Sequence, residues 1–132
     1  SYVQLILADM YEEERNYSKA IYHLRNAFNI DPTNRWLVYR IVSLYIQSGN
    51  PHVALEEAQY GLQAFPDFAE LALSAGNCAF ELELYARAER YYAAAKELGS
   101  AGGIVGLENV RLVREQRAAG RNGQFLFEPG TN

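Results

Sequence analysis

Lysine occurs twice in this 132-residue chain, at Lys19 and Lys96, and cysteine once, at Cys78. A single cysteine excludes an internal disulfide and leaves the redox compartment open. The 12 lysines and arginines face 16 aspartates and glutamates, for a formal net charge of −4. That balance argues against sequence-independent nucleic-acid binding, which needs a basic face. No apolar run reaches the roughly 18 to 20 residues that a membrane helix needs, so direct membrane insertion is not expected. Histidine appears only at His23 and His52. No group of His, Cys, Asp and Glu has the spacing of a metal site, so neither metal nor cofactor is expected. Nothing places a base and an orienting group beside Cys78, so it reads as a small packed hydrophobe and the chain as non-catalytic. Gly99, Gly102, Gly103 and Gly106 follow a helical segment rather than a strand and lack the phosphate-loop fingerprint.

What is present is a period. Ala20, Ala54 and Ala88 stand 34 residues apart, and Pro32 and Pro66 each follow their alanine by 12. A fixed repeat of this size marks a chain of stacked copies of one unit, in which each copy buries its apolar face against the next. The 49% hydrophobic and 21% charged content is that of a soluble globular domain, and the length suits one domain with a real core.

The residues around the period resemble the tetratricopeptide repeat, a helix–turn–helix unit with the pattern W-x2-L-G-x2-Y…A-x3-F…P. Cut at 1–34, 35–68 and 69–102, the first unit places Leu7, Ala8, Tyr11, Ala20, Leu24, Ala27 and Pro32 on the pattern, with Gln4 for the tryptophan. The second places Val38, Ile41, Tyr45, Ala54, Gly61 and Pro66, with Val42 larger than the usual glycine and Ala58 smaller than the usual aromatic. The third places Gly76, Ala88, Tyr92 and Ala95, while Ala72, Ala75 and Ala79 are small where large residues are common and Ser100 replaces proline. The resemblance covers about three quarters of the chain. It implies an all-α fold, an α-solenoid of antiparallel helix pairs wound as a right-handed superhelix, with a domain over 1–118.

Local signals give each unit a helix A and a helix B. Tyr2 to about Glu14 and Tyr17–Ile30 form the first pair, broken by Asp31-Pro32. Arg35–Ser48 and Pro51 to about Ala64 form the second. Gly49 suits a left-handed helix end, and Asn50-Pro51 reads as N-cap and first helical position. Asp67 with Glu70 is a capping-box-like start for a third A helix running to about Leu82. Tyr85–Leu98 then closes on Gly99. The stretch Gly99–Gly103 breaks the rhythm. Ile104, Leu107, Val110 and Val113 recur at helical spacing, which predicts a cap helix over about 103–118. Residues 119–132 read as a flexible tail holding an apolar cluster, Phe125-Leu126-Phe127, that either stays loose or docks in a groove. The first helix spreads Val3, Leu5, Ile6, Leu7 and Met10 over more than one face, whereas terminal repeats usually present a polar outer face. This raises the expectation of a fragment of a longer protein, or of a homodimer through the first helix or the tail.

In the resembled family the concave wall is made by A-helix positions 2, 5, 9, 12 and 13. Carried over, these are Tyr2, Leu5, Asp9, Glu12 and Glu13; then Trp36, Tyr39, Ser43, Ile46 and Gln47, with Arg40 beside them; then Glu70, Leu73, Asn77, Phe80 and Glu81. Residues 36, 39 or 40, 43 and 47 do form one helical stripe. The candidate partner-binding groove is therefore Tyr2, Asp9, Trp36, Tyr39, Arg40, Ser43, Asn77 and Phe80. For Leu5, Ile46 and Leu73, packing against neighbouring A helices stays open. The repeats that hold the acidic C-terminus of chaperones use lysine, asparagine and arginine on A helices. Here no A helix has a lysine, and Asp9, Glu12, Glu13 and Glu70 would repel a carboxylate. The resemblance thus implies a module that binds a protein or peptide with some basic and apolar character and serves assembly or scaffolding. Its alternatives are a structural spacer in a longer repeat scaffold and a small secretion-type chaperone.

Overall fold

A computed structural model describes residues 2–121, with the side chain of residue 121 excepted. Among the described residues the chain forms seven α-helices and no strand. They are α1 (Tyr2–Glu13), α2 (Tyr17–Ile30), α3 (Arg35–Gln47), α4 (Pro51–Ala64), α5 (Ala69–Glu81), α6 (Tyr85–Glu97) and α7 (Ala101–Arg121). Each helix packs on the next along the chain. The odd-numbered helices are the A helices and the even-numbered ones from α2 to α6 the B helices.

The turn from A to B is one structure made three times. Arg15 (φ 59°), Gly49 (φ 81°) and Glu83 (φ 62°) are left-handed and lie 34 residues apart. The next amide reaches back over the helix end each time, from Asn16 to Tyr11 O (2.8 Å), Asn50 to Tyr45 O (2.9 Å) and Leu84 to Ala79 O (2.8 Å). This bond satisfies a carbonyl that the helix end would otherwise leave open. Capping is less regular. The Asn16 side chain accepts from Lys19 N and that of Asn34 from Trp36 N, whereas Asn50, Phe68 and Leu84 make no side-chain cap. The expected capping box at Asp67 is absent. Phe68 holds the N-cap position, buried, and Asp67 turns instead to Arg35 at 3.4 Å.

Ala20, Ala54 and Ala88 are each fully buried, which leaves room for a methyl and little else. The facing A-helix position also recurs with the period, and Ala8, Val42 and Val110 are all 0% exposed. The core divides into a cluster around α1–α3 and a larger one around Val42, Phe68, Leu71, Tyr92 and Val110. The glycine-rich stretch breaks the helix only at Gly99, and its later glycines lie within α7. Gly99 is left-handed (φ 93°) and ends α6, and α7 begins two residues later at Ala101. A Cβ on Gly103 would lie 2.6 Å from the backbone of Lys96 and Tyr92, so this glycine lets α7 cross α6 backbone to backbone. Gly76 and Gly106 make the slot for the Tyr92 ring. Helix α7 starts before the expected 103 and continues past 118, so residues 119–121 are helical. The rest of the expected tail, Phe125–Phe127 included, lies outside the described residues.

Candidate functional site

The A helices form an inner layer. Helix α3 touches α5 and α5 touches α7, while among the described residues no two B helices approach each other. A stack whose A helices sit closer than its B helices curves toward the A side. Helices α1 and α3 are the exception. Their backbones do not touch, and a side-chain bridge joins them.

That bridge is Arg40. Its guanidinium donates to Asp9 (2.8 Å) and Glu12 (2.9 Å), both on α1. Partial burial works against the Arg40 charge, but the bonds to Glu12 and Asp9 outweigh it and raise its pKa above the usual arginine range. Asp9, Glu12, Glu13 and Arg40 line a recess of about 330 Å³. One turn toward the start of α3, Trp36 stands edge-on to Phe68 (4.8 Å) and Tyr39 (5.6 Å), and Arg35 lies over the Phe68 ring, 4.6 Å from its centroid. Phe68 is buried and Tyr39 half-buried, so they hold a Trp36 that is itself 47% exposed.

The remaining candidates are spread out. The Ser43 hydroxyl donates to Tyr39 O within α3 (2.9 Å). Asn77 is exposed on α5, and its Oδ1 accepts from the Tyr92 hydroxyl at 2.7 Å. Its Nδ2 has no partner among the described residues. Phe80 is half-buried at the far end of α5, edge-on to Tyr85 (5.4 Å). Tyr2 is 76% exposed at the start of α1 and joins none of these contacts. Of the residues left open, Leu5 and Leu73 are half-buried and Ile46 is exposed. Leu73 packs over Gly102 of α7, as expected for an A–A contact.

The structure thus brings together Asp9, Glu12 and Arg40 as one group and Trp36, Tyr39 and Phe68 as another. Asn77 with Tyr92 forms a third. The sequence did not name Phe68, Arg35 or Tyr92 as site residues. Only the tertiary fold carries Phe68 under Trp36, but Tyr92 could have been sought, since Gly76 is a small residue at a repeat position that must be filled by something. A recess of about 740 Å³ lies elsewhere, along the A–B turn edge beside Arg15, Asn16, Tyr22, Tyr45 and Asn50. Its walls are turn residues and the outer side of α2, from Tyr17 to Arg25, with Tyr45 of α3.

Other polar positions serve packing. Gln4, in the place of the family tryptophan, accepts from His23 Nδ1 (2.7 Å) and from Asn26 Nδ2 (3.3 Å), and Tyr11 stacks on His23. Cys78 is buried. Burial, helped by the nearby Glu81 charge, pushes its thiol up to about 11, away from nucleophilic thiolate. No helix among the described residues is long and apolar enough to cross a membrane.

The sequence matches no protein-family model. It also matches no curated protein. Solved structures do match. The Sgt2 TPR domain from Aspergillus fumigatus superposes with a TM-score of 0.75 at 24% identity, over 95% of this chain and 82% of that one. The first TPR domain of human RPAP3 gives 0.74 at 18%, over 89% and 94%. The first TPR of Spaghetti (RPAP3), bound to the HSP90 peptide SRMEEVD, gives 0.74 at 18%, over 86% and 92%. Among the described residues, the stack of seven helices whose A–B turn recurs every 34 residues superposes on these domains and has the fold of the tetratricopeptide repeat.

Proposed function

We propose that this chain is a non-catalytic interaction module whose inner A-helix face binds a protein or peptide partner for assembly or scaffolding. The observation that carries the reading is Trp36, held edge-on by Phe68 and Tyr39 yet 47% exposed. A large, pre-positioned aromatic offers contact area at little entropic cost, and such residues dominate binding hot spots. Asn77 adds a fixed donor, since the Tyr92 hydroxyl orients its amide and leaves Nδ2 for a bound backbone carbonyl. A domain of the same fold holds a peptide, SRMEEVD. The site residues proposed here are Asp9, Trp36, Tyr39, Arg40, Ser43, Asn77 and Phe80, with Tyr2 at the margin. The test uses peptides selected from a random library on the immobilised protein. Binding should fall at least tenfold in Trp36→Ala and in Asn77→Asp, which keeps an oxygen for Tyr92 but removes the donor. Selection of no peptide, or of peptides indifferent to both changes, would refute the reading.

A second reading, a spacer within a longer array, draws on α1. Val3 and Met10 are 64% and 53% exposed, while their counterparts one period on, Leu37 and Leu44, are buried in the cluster that includes α2. In this reading another helix covers Val3, Ile6 and Met10, and the inner face need bind nothing.

A further inference from the structure

The charges on the inner face are not equally available. Every arginine of α1, α3 and α5 is already engaged. Arg40 is held by Asp9 and Glu12, and Arg35 pairs with Asp67 while lying over Phe68. The same is true of Arg111, Arg114 and Arg117 on α7, which pair with Glu108 and Glu115, Glu89 and Glu83 respectively. By contrast Glu13, Glu70 and Glu81 on α1 and α5 are exposed and make no ion pair among the described residues. What the face leaves over for a partner is negative charge, concentrated at the recess where Glu13 joins Asp9 and Glu12.

The spacing of the two features is also set. Trp36 and Arg40 are four residues apart on α3, a rise of roughly 6 Å. In an extended peptide, side chains two residues apart share a face and are separated by roughly 6.5 Å. An extended segment that lays one side chain on Trp36 therefore delivers its second-next side chain to the Asp9–Glu12–Glu13 recess. A cation there can share the carboxylates with Arg40, since each carboxylate accepts more than one hydrogen bond.

Resting on the binding reading above, we infer that the face takes an extended peptide carrying an apolar residue and, two positions away, a lysine or arginine. The apolar side chain sits on the Trp36 shelf and the cation in the recess between α1 and α3. The preference is opposite in sign to that expected for the acidic SRMEEVD peptide held by the similar domain.

The experiment uses two pools of short peptides, random except at the paired positions. One fixes Leu or Phe with Lys or Arg two residues on. The other replaces the cation with Asp or Glu. Binding is read from fluorescence of Trp36, the chain's only tryptophan, and from anisotropy of labelled peptide. The basic pool should bind at least tenfold tighter at low salt, with the margin shrinking as salt rises. Glu13→Gln should weaken the best basic peptide several-fold, and Glu13→Lys should abolish the preference. Both changes lie at an exposed position, and circular dichroism checks that the fold survives. An acidic pool that binds as well or better overturns the charge assignment and leaves the binding face standing. Binding by neither pool, or binding unaffected by Trp36→Ala, overturns both.

Discussion

Arg15, Gly49 and Glu83 share one left-handed conformation, but only one of them is glycine. Substitutions at equivalent positions should therefore have opposite signs. A Cβ built on Gly49 meets nothing within 4 Å, so Gly49→Ala has no steric neighbour to disturb. Its whole cost is the left-handed backbone, about 1–2 kcal/mol for a residue with a Cβ. The less flexible unfolded chain returns about 0.4–1 kcal/mol of that, for a net loss of about 1 kcal/mol. Arg15→Gly runs the same cycle backwards and should gain about 0.5–1 kcal/mol. Arg15 is the better choice than Glu83, because Glu83 also pairs with Arg117 and its loss would confuse the reading. The assay is urea unfolding followed by helical circular dichroism, with a thermal melt in parallel. In a chain of this size 1 kcal/mol moves the melting temperature by a few degrees. The two shifts should be opposite in sign at unchanged m-value. A destabilising Arg15→Gly, or a neutral Gly49→Ala, would refute the claim that one strained turn recurs with the repeat.

Further predictions follow from the same packing. Ala54→Leu should cost about 1–3 kcal/mol by overpacking a fully buried position between α3 and α4, read by the same melts; an unchanged melt would remove the close-crossing assignment. Leu84→Asn should stabilise by about 0.5–1 kcal/mol by supplying the N-cap that Asn16 supplies two repeats earlier, and a lower melting temperature would count against it. Asn77→Ala should destabilise by about 1–2 kcal/mol because it strands the buried Tyr92 hydroxyl, whereas Asn77→Asp should cost less. The Cys78 thiol keeps its proton to about 11 in the folded state, above its ordinary value of 9.0. The folded form thus binds the proton more tightly, and stability should fall as pH rises from about 9 to about 11, with Tyr92 shifted in the same direction. Cys78→Ala should remove part of that fall, and at pH 8 thiol reagents should label Cys78 only as the protein unfolds.

The fold was legible because one period governs it. The alanines at 20, 54 and 88 place every helix pair, and proline and Gly49 place the breaks. Helix ends were less legible where capping chemistry misled. Asp67 and Glu70 look like a capping box, but the buried Phe68 takes the N-cap position because aromatic packing beneath Trp36 outweighs one exposed hydrogen bond. The glycines after α6 look like a break when read locally. Only Gly99 ends a helix; Gly102, Gly103 and Gly106 are helical positions kept bare so that Leu73, the α6 backbone and Tyr92 fit against α7, which no local signal reports. For the candidate face, the family positions named Trp36, Tyr39 and Asn77, with Arg40 beside them, but the roles came from elsewhere. Arg40 is a strut between α1 and α3, and Asn77 is oriented by Tyr92. Both depend on residues 15 to 31 positions away in the chain, beyond the reach of helical spacing.

The central claim is that the inner A-helix face is where a partner binds. The most direct measurement is backbone and side-chain amide chemical-shift mapping with a peptide selected from a random library. The Trp36 indole, the Asn77 side-chain amide and the backbones around Asp9, Tyr39, Ser43 and Phe80 should shift on titration, while α2, α4 and α6 stay still. Shifts concentrated on the B helices or on the turn edge around Tyr22 and Asn50 would contradict it.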